Sequence, residues 1–91
     1  MDMEQAIRKV LKPIRRGLIF DSHFVIAQLI KHHTHIYTCF AGRNETTKHL
    51  HHRIAKEIGK QKSLVQKCVD KSWSDTIRGT PATCALWQKI I

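Results

Sequence analysis

The chain has 91 residues, a hydrophobic content of 42% and a net charge of +9, with a pI near 10.0. This length allows one small domain and little room for an enclosed catalytic pocket, which favours a binding module over an enzyme. The longest apolar stretch, FVIAQLI, is too short to span a bilayer, and the N-terminus lacks the apolar segment of a secretory signal. We therefore expect a cytoplasmic protein with no membrane partner.

The first predicted helix occupies residues 3–12. Asp2 is its expected N-cap, and Pro13, which lacks a backbone N–H, should end it near Leu11. Its apolar side chains recur at helical spacing, and they are Ile7, Val10, Leu11 and Ile14. The following segment, IRRGLI, is interpreted as a connection that turns at Gly17.

A second helix is predicted to begin in FDSHF, where Asp21 or Ser22 can accept hydrogen bonds from the first backbone N–H groups. Its buried stripe consists of Val25, Ile26, Leu29 and Ile30. The next segment, IYTCFAG, is rich in β-branched and aromatic residues and stops at Gly42. It is consistent with either a helical turn or one short strand near residues 36–40.

The third strong helix lies in RNETTKHLHHRIAKEIG. Asn44 or Thr46 should cap it, and Gly59 should end it. Its core side chains recur every four residues, and they are Leu50, Ile54 and Ile58. A further helix is predicted after Gln61, Lys62 and Ser63, with an apolar stripe of Leu64, Val65, Cys68 and Val69.

The C-terminal segment is predicted to form the last helix, after a turn in SWSDTIRG. Thr80 should cap it with Pro81 in its first position, and Ala82, Leu86 and Ile90 should share one face. Residues 72–80 are then too few for the β-hairpin of a winged helix. Both tryptophans are expected in the core. The predicted fold is all-α, a compact bundle of four to six short helices in one domain, residues 1–91.

The positive charge is concentrated in one segment. Between residues 48 and 71 there are seven lysines and arginines but two acidic residues. A basic field of this kind favours a polyanionic partner, because each neutralised phosphate releases condensed counterions.

The segment HHRIAKEIGKQKSLVQKCVD, residues 51–70, has a glycine four residues after an alanine and a valine six residues after that glycine. Ala55, Gly59 and Val65 in this spacing resemble the pattern of bacterial helix-turn-helix DNA-binding proteins. Gly59 would tolerate the positive φ that the turn usually needs. The resemblance covers about twenty residues, and Lys60 departs from it because an apolar residue usually follows the glycine.

The resemblance implies a DNA-binding regulator of transcription, whose second helix lies in the major groove of double-stranded DNA. Gln66 would pair with adenine, and Lys62 and Lys67 would reach guanine or phosphate. Self-association as a homodimer is expected, because DNA sites are commonly read by two-fold dimers. The candidate nucleic-acid-binding residues are Arg53, Lys56, Lys60, Gln61, Lys62, Ser63, Gln66, Lys67 and Lys71.

Two alternatives to DNA binding stay open. One is a protein-interaction adaptor whose basic surface meets an acidic protein, and the other is a small RNA-binding protein. RNA ranks lower because readers of single strands display aromatic side chains for stacking, and the few aromatics here fall in core-like positions.

Catalytic, metal and cofactor sites are not expected. Adjacent residues at a helix start point in different directions, so Asp21, Ser22 and His23 do not suggest a triad. The seven histidines include two clusters, and a zinc ion could be imagined among His32, His35, Cys39 and His52. Their spacing matches no zinc finger.

Overall fold

The computed structural model describes residues 1–75 and 81–91 of the chain. Its elements, in order, are α1 (Met3–Leu11), β1 (Ile19–Asp21), α2 (Ser22–His32), α3 (Thr34–Phe40), α4 (Thr47–Gly59), β2 (Val65–Asp75) and β3 (Pro81–Lys89). The strands form one antiparallel sheet in the order β1-β3-β2. The fold is therefore mixed α/β, and the prediction of an all-α bundle is wrong. None of the helices in these ranges is both long and apolar enough to cross a membrane.

Three helices begin where the sequence predicts. Asp2, Asp21 and Thr46 each accept a hydrogen bond from the backbone N–H three residues later, at 2.8, 2.7 and 3.1 Å. Each bond satisfies one of the N–H groups that a helix start leaves without a partner. The ends of α1 at Leu11 and α4 at Gly59 also match the prediction.

The segment at residues 36–40 is helical, so the alternative of a short strand there is wrong. It belongs to α3, although Thr and Ile are stiff at χ1 and favour strands. Two hydroxyl groups bond back along the helical chain: Thr34 Oγ1 donates to the Ile30 carbonyl at 2.5 Å and Thr38 Oγ1 to the Thr34 carbonyl at 2.9 Å. These bonds satisfy the threonine hydroxyls within helical geometry.

The core is formed by apolar side chains of the helices packed on β3. It includes Ile7 and Leu11 of α1, Val25, Ile26 and Leu29 of α2, Leu50, Ile54 and Ile58 of α4, and Trp87. Trp87 is 4% exposed, so its predicted core position is confirmed. Trp73 is 74% exposed, so its predicted core position is wrong.

The C-terminal third is a β-hairpin instead of two helices. Strand β2 pairs with β3 from Val65 opposite Lys89 to Asp75 opposite Pro81, with two shifts of register. Four predictions are therefore wrong. They are the helix after Gln61, the helix from Pro81, the helix-turn-helix at 51–70 and the exclusion of a hairpin. The proposed cap at Thr80 lies outside the described residues.

The error has a physical reason, which is visible in β3. Residues four apart share a face in a helix and also in a strand, so the spacing of Ala82, Leu86 and Ile90 cannot separate the two. The buried pair Trp87 and Lys89 instead follows the two-residue period of a strand.

Lys89 is buried, and its charge is compensated at the end of α1. Its Nζ donates to the carbonyl oxygens of Lys12 at 3.1 Å and Ile14 at 2.8 Å. These carbonyls follow the last turn of α1, where the helix dipole favours a positive charge. The bonds therefore hold the end of β3 against the segment after α1.

Trp87 joins the middle strand of the sheet to two helices. Its Nε1 donates to the Ser22 hydroxyl at the start of α2 over 2.9 Å, in a buried position. At the end of α4, a Cβ atom added to Gly59 would lie 3.3 Å from the Trp87 ring. Among the glycines of the described ranges, Gly17 has a positive φ, of 87°, whereas Gly59 does not. Gly59 is thus required for close approach and not for a left-handed turn.

Replacing Gly59 with leucine should destabilise the protein by about 1–3 kcal/mol, because the added side chain must displace the indole of Trp87. Denaturant unfolding measures the change. The neighbouring exposed residue provides the control, since Lys60→Leu should alter the free energy of unfolding by no more than about 0.5 kcal/mol. Equal stability of the two variants would contradict this role of Gly59.

Candidate nucleic-acid interface

Helix α4 has a basic stripe on its outer side. Lys48, His52 and Lys56 are exposed and four residues apart, so they lie on one face of the helix. The buried stripe of Leu50, Ile54 and Ile58 holds the opposite face against the core. Because the core fixes α4 through its apolar face, the stripe points away from the protein.

The hairpin supplies further basic side chains. Helix α4 packs against β2, which begins after a short turn at residues 60–64. The exposed residues in the turn and on β2 include Lys62, Ser63, Gln66, Lys67 and Lys71. We call these five residues and the α4 stripe the basic surface, of which the neighbours Gln66 and Lys67 extend to opposite faces of β2.

Two side chains of the basic surface also make contacts within the sheet. Gln66 Nε2 donates to Gln88 Oε1 at 2.9 Å, across the β2–β3 pairing. The Lys67 ammonium lies 5.5 Å from the centroid of the Trp87 ring, within the range of a cation–π contact. Both groups therefore have internal interactions that a ligand would have to share or replace.

Gln61 does not belong to the basic surface. It is 2% exposed, its Oε1 accepts a hydrogen bond from Arg8 Nε at 2.8 Å, and its Nε2 lies 3.5 Å from Glu4 Oε1. The amide thus ties the end of α4 to α1, and we omit Gln61 from the candidate interface.

Arg53 is held by the loop between α3 and α4. Its Nη1 donates to Glu45 Oε1 at 2.8 Å and to the Phe40 carbonyl at 3.2 Å, and its guanidinium lies 4.2 Å from the Phe40 ring centroid. These contacts fix α4 to the end of α3. Arg53 therefore has a structural role in the molecule, although the sequence suggested a phosphate contact.

Glu45 is the centre of this loop. Its carboxylate accepts from the Gly42 backbone N–H at 2.8 Å and from Arg53, and His49 Nδ1 lies 2.5 Å from Oε2. The side chain is 7% exposed. The Gly42 hydrogen bond first, and then those from His49 and Arg53, lower the pKa of Glu45 against the opposing effect of desolvation.

Lys56 and Lys60 follow the predicted exposure, and both lie at the surface. Lys60 forms an ion pair with Glu57 at 3.1 Å, in an exposed setting that gives such a pair little energy. Lys48 and His52 are absent from the predicted site. The spacing of four residues from Lys48 to His52 and from His52 to Lys56 is the signal that could have found them.

The four residues considered as zinc ligands are not brought together; they are His32, His35, Cys39 and His52. Cys39 Sγ lies 3.5 Å from His35 Nε2, but within the described ranges the group with metal-ligand geometry is Asp21, His23 and Cys84. Ser22 is buried, and its hydroxyl accepts a hydrogen bond from Trp87 Nε1 at 2.9 Å.

No family model, curated protein or solved structure matches the chain. The contacts, charges and exposed groups of the described residues are therefore the basis for a functional conclusion.

Replacing Glu45 with glutamine should lower the thermal midpoint near neutral pH, because the carboxylate accepts charge-assisted bonds that an amide accepts only weakly. The folded-state pKa is lowered from about 4.5, so this contribution is complete above that pH and is lost as the pH falls through the lowered pKa.

The difference in thermal midpoint between the native chain and Glu45→Gln should therefore shrink in acid. Circular dichroism melts from neutral to acidic pH measure it. Glu57→Gln is the matched control, since it removes an exposed ion pair and should change the midpoint little. A Glu45→Gln deficit that is the same at every pH would contradict the pKa argument.

Proposed function

We propose that this protein is a non-catalytic DNA-binding regulator that contacts duplex DNA with α4 and the β2–β3 hairpin. The observation that supports it is the exposed stripe of Lys48, His52 and Lys56 on a helix that leads directly into a basic hairpin. This proposal replaces the groove-reading helix at residues 61–70, which the fold does not contain.

The shape of α4 suits the major groove, which admits one α-helix. The lysines of the stripe would contact phosphates and set the position of the helix. The order of a helix followed by a hairpin is also that of a winged helix, and this analogy of fold adds to the support.

The charge of the hairpin fits a position beside the helix on the duplex. Lys62 precedes β2, and Lys71 lies exposed along it. With a net charge of +9, the protein would attract any polyanion. The arrangement of the basic surface would then orient the protein on the duplex.

Two further parts of the proposal concern setting and assembly. A cytoplasmic location suits Cys39, Cys68 and Cys84, because thiols persist in a reducing compartment. Binding as a two-fold homodimer would let two copies of α4 read adjacent turns of the duplex.

Changing both Lys48 and Lys56 to alanine should weaken binding to a short random-sequence duplex. The slope of log affinity against log salt should fall by about 0.9 for each phosphate that the variant no longer neutralises. Fluorescence anisotropy across several salt concentrations measures both quantities. The matched control is Lys9→Ala with Arg15→Ala, which removes the same number of charges from a cleft that α4 and β2 do not line.

Equal effects of the two double variants would reduce the interaction to net charge and remove the proposed interface. Single-stranded RNA is the second ligand in the same experiment, because Trp73 exposes an aromatic face on which a base could stack. Tight RNA binding that Trp73→Ala abolishes, without duplex binding, would replace the proposal with RNA binding.

A second candidate function is an adaptor for an acidic protein, and a cleft of about 450 Å³ favours it. Ile14, Leu18 and Phe24 contribute to its apolar lining, and Lys9 and Arg15 lie in it as well. Leu18 and Phe24 are among the exposed large hydrophobic residues. An apolar cleft that also contains cationic side chains suits an amphipathic helix that carries acidic residues beside its apolar face.

The adaptor can be tested with a synthetic amphipathic peptide that has leucines on one face and glutamates beside them. Leu18→Glu should abolish binding, because it places a charge in the apolar lining. Ile19→Glu is the matched control, since Ile19 is exposed and is not part of the lining. Calorimetry that shows no peptide binding, or equal losses in both variants, would remove this candidate.

A further inference from the structure

Three potential metal ligands meet where α2 begins beside β3. Asp21, His23 and Cys84 each offer one ligand atom, and the three atoms lie within 4.8 Å of one another. All three residues are half-buried. Asp21 ends β1, His23 lies in the first turn of α2, and Cys84 lies on β3, so the group joins three elements.

The backbone that carries these ligands is fixed by neighbouring hydrogen bonds. Ser22, between Asp21 and His23, accepts from Trp87 Nε1 at 2.9 Å, and its hydroxyl lies 3.5 Å from the Ala85 carbonyl next to Cys84. Asp21 is also paired in register with Leu86 of β3. These contacts fix the backbone on both sides of the three ligands.

Asp21 can serve as a helix cap and a ligand together. Its Oδ1 accepts from the Phe24 backbone N–H at 2.7 Å. A carboxylate has a second oxygen and several lone pairs, so capping leaves capacity for a metal ion. The hydrogen bond also orients the carboxylate, as bonds around metal ligands commonly do.

We propose that Asp21, His23 and Cys84 bind a zinc ion. Zinc accepts sulfur, imidazole nitrogen and carboxylate oxygen in one tetrahedral site, whereas Mg²⁺ and Ca²⁺ require oxygen ligands. A carboxylate and a thiolate balance the 2+ charge of the ion, and the thiol proton is released to solvent on binding. Three protein ligands leave the fourth position to water or to a ligand from outside.

The consequence of zinc binding would be a link between the start of α2 and the middle strand of the sheet. A metal that binds the folded state more tightly than the unfolded chain raises the free energy of unfolding. This zinc site does not depend on DNA binding.

The test is a zinc titration of metal-free protein against a chromogenic chelator, with thermal melts in parallel. Cys84→Ser and Asp21→Asn should each weaken zinc binding by more than about tenfold, since even loss of an outer hydrogen bond costs about 10–100-fold. Asparagine caps a helix as well as aspartate does, so Asp21→Asn removes the anionic ligand and keeps the cap.

The matched control is Cys39→Ser, which removes the thiol beside His35 and should leave zinc binding unchanged. Zinc should raise the thermal midpoint of the native chain and of Cys39→Ser but not that of Cys84→Ser. With cobalt in place of zinc, a thiolate-to-metal absorption band should appear in the first two proteins only.

Three results would overturn the site: no zinc binding by the native chain, equal affinity in Cys84→Ser, or binding that is lost in Cys39→Ser. The last two would assign the metal to the exposed histidine-rich segments. If Cys84→Ser fails to fold, Asp21→Asn decides the question, and unchanged zinc affinity in that variant would overturn the proposal.

Discussion

The packing of one indole determines how the two halves of this protein fit together. Trp87 lies on the middle strand, donates to Ser22 at the start of α2 and contacts the end of α4 at Gly59. The residues that flank it in the sheet, Phe20 and Lys67, belong to the two outer strands. Trp87 therefore lies beside both other strands of the sheet and beside two of the helices.

The helical part of the fold could be predicted from the sequence, because caps and stops act locally. Asp2, Asp21 and Thr46 mark helix starts by a hydrogen bond to a residue three positions away, and no tertiary contact is needed to infer it. The hairpin could not be inferred in this way. Its apolar spacing suits both a helix and a strand, and long-range pairing such as that of Gln66 with Gln88 decides between them.

In the candidate interface, too, the sequence predicted some features and missed those that depend on tertiary contacts. The sequence located the charge between residues 48 and 71 and the exposed state of Lys56 and Lys62. It could not show that Gln61 is buried and bonded to Arg8, because the two residues are distant along the chain. It also could not show that Arg53 is bonded to Glu45, because that contact depends on the conformation of the loop before α4. The polarity of the side chain thus predicted exposure at Lys56 and Lys62 but not at Gln61, which is buried.

The contrasting positions of the two tryptophans have a spectroscopic consequence. Trp87 is enclosed in the core, whereas Trp73 stands at the surface of β2. The emission of an indole shifts with the polarity of its surroundings, so a Trp73→Phe variant would leave a fluorophore that follows unfolding. The difference between the emission of the native chain and that of the Trp73→Phe variant would report on Trp73, and so on changes at the outer strand β2. The protein therefore contains separate intrinsic reporters of its core and of its hairpin.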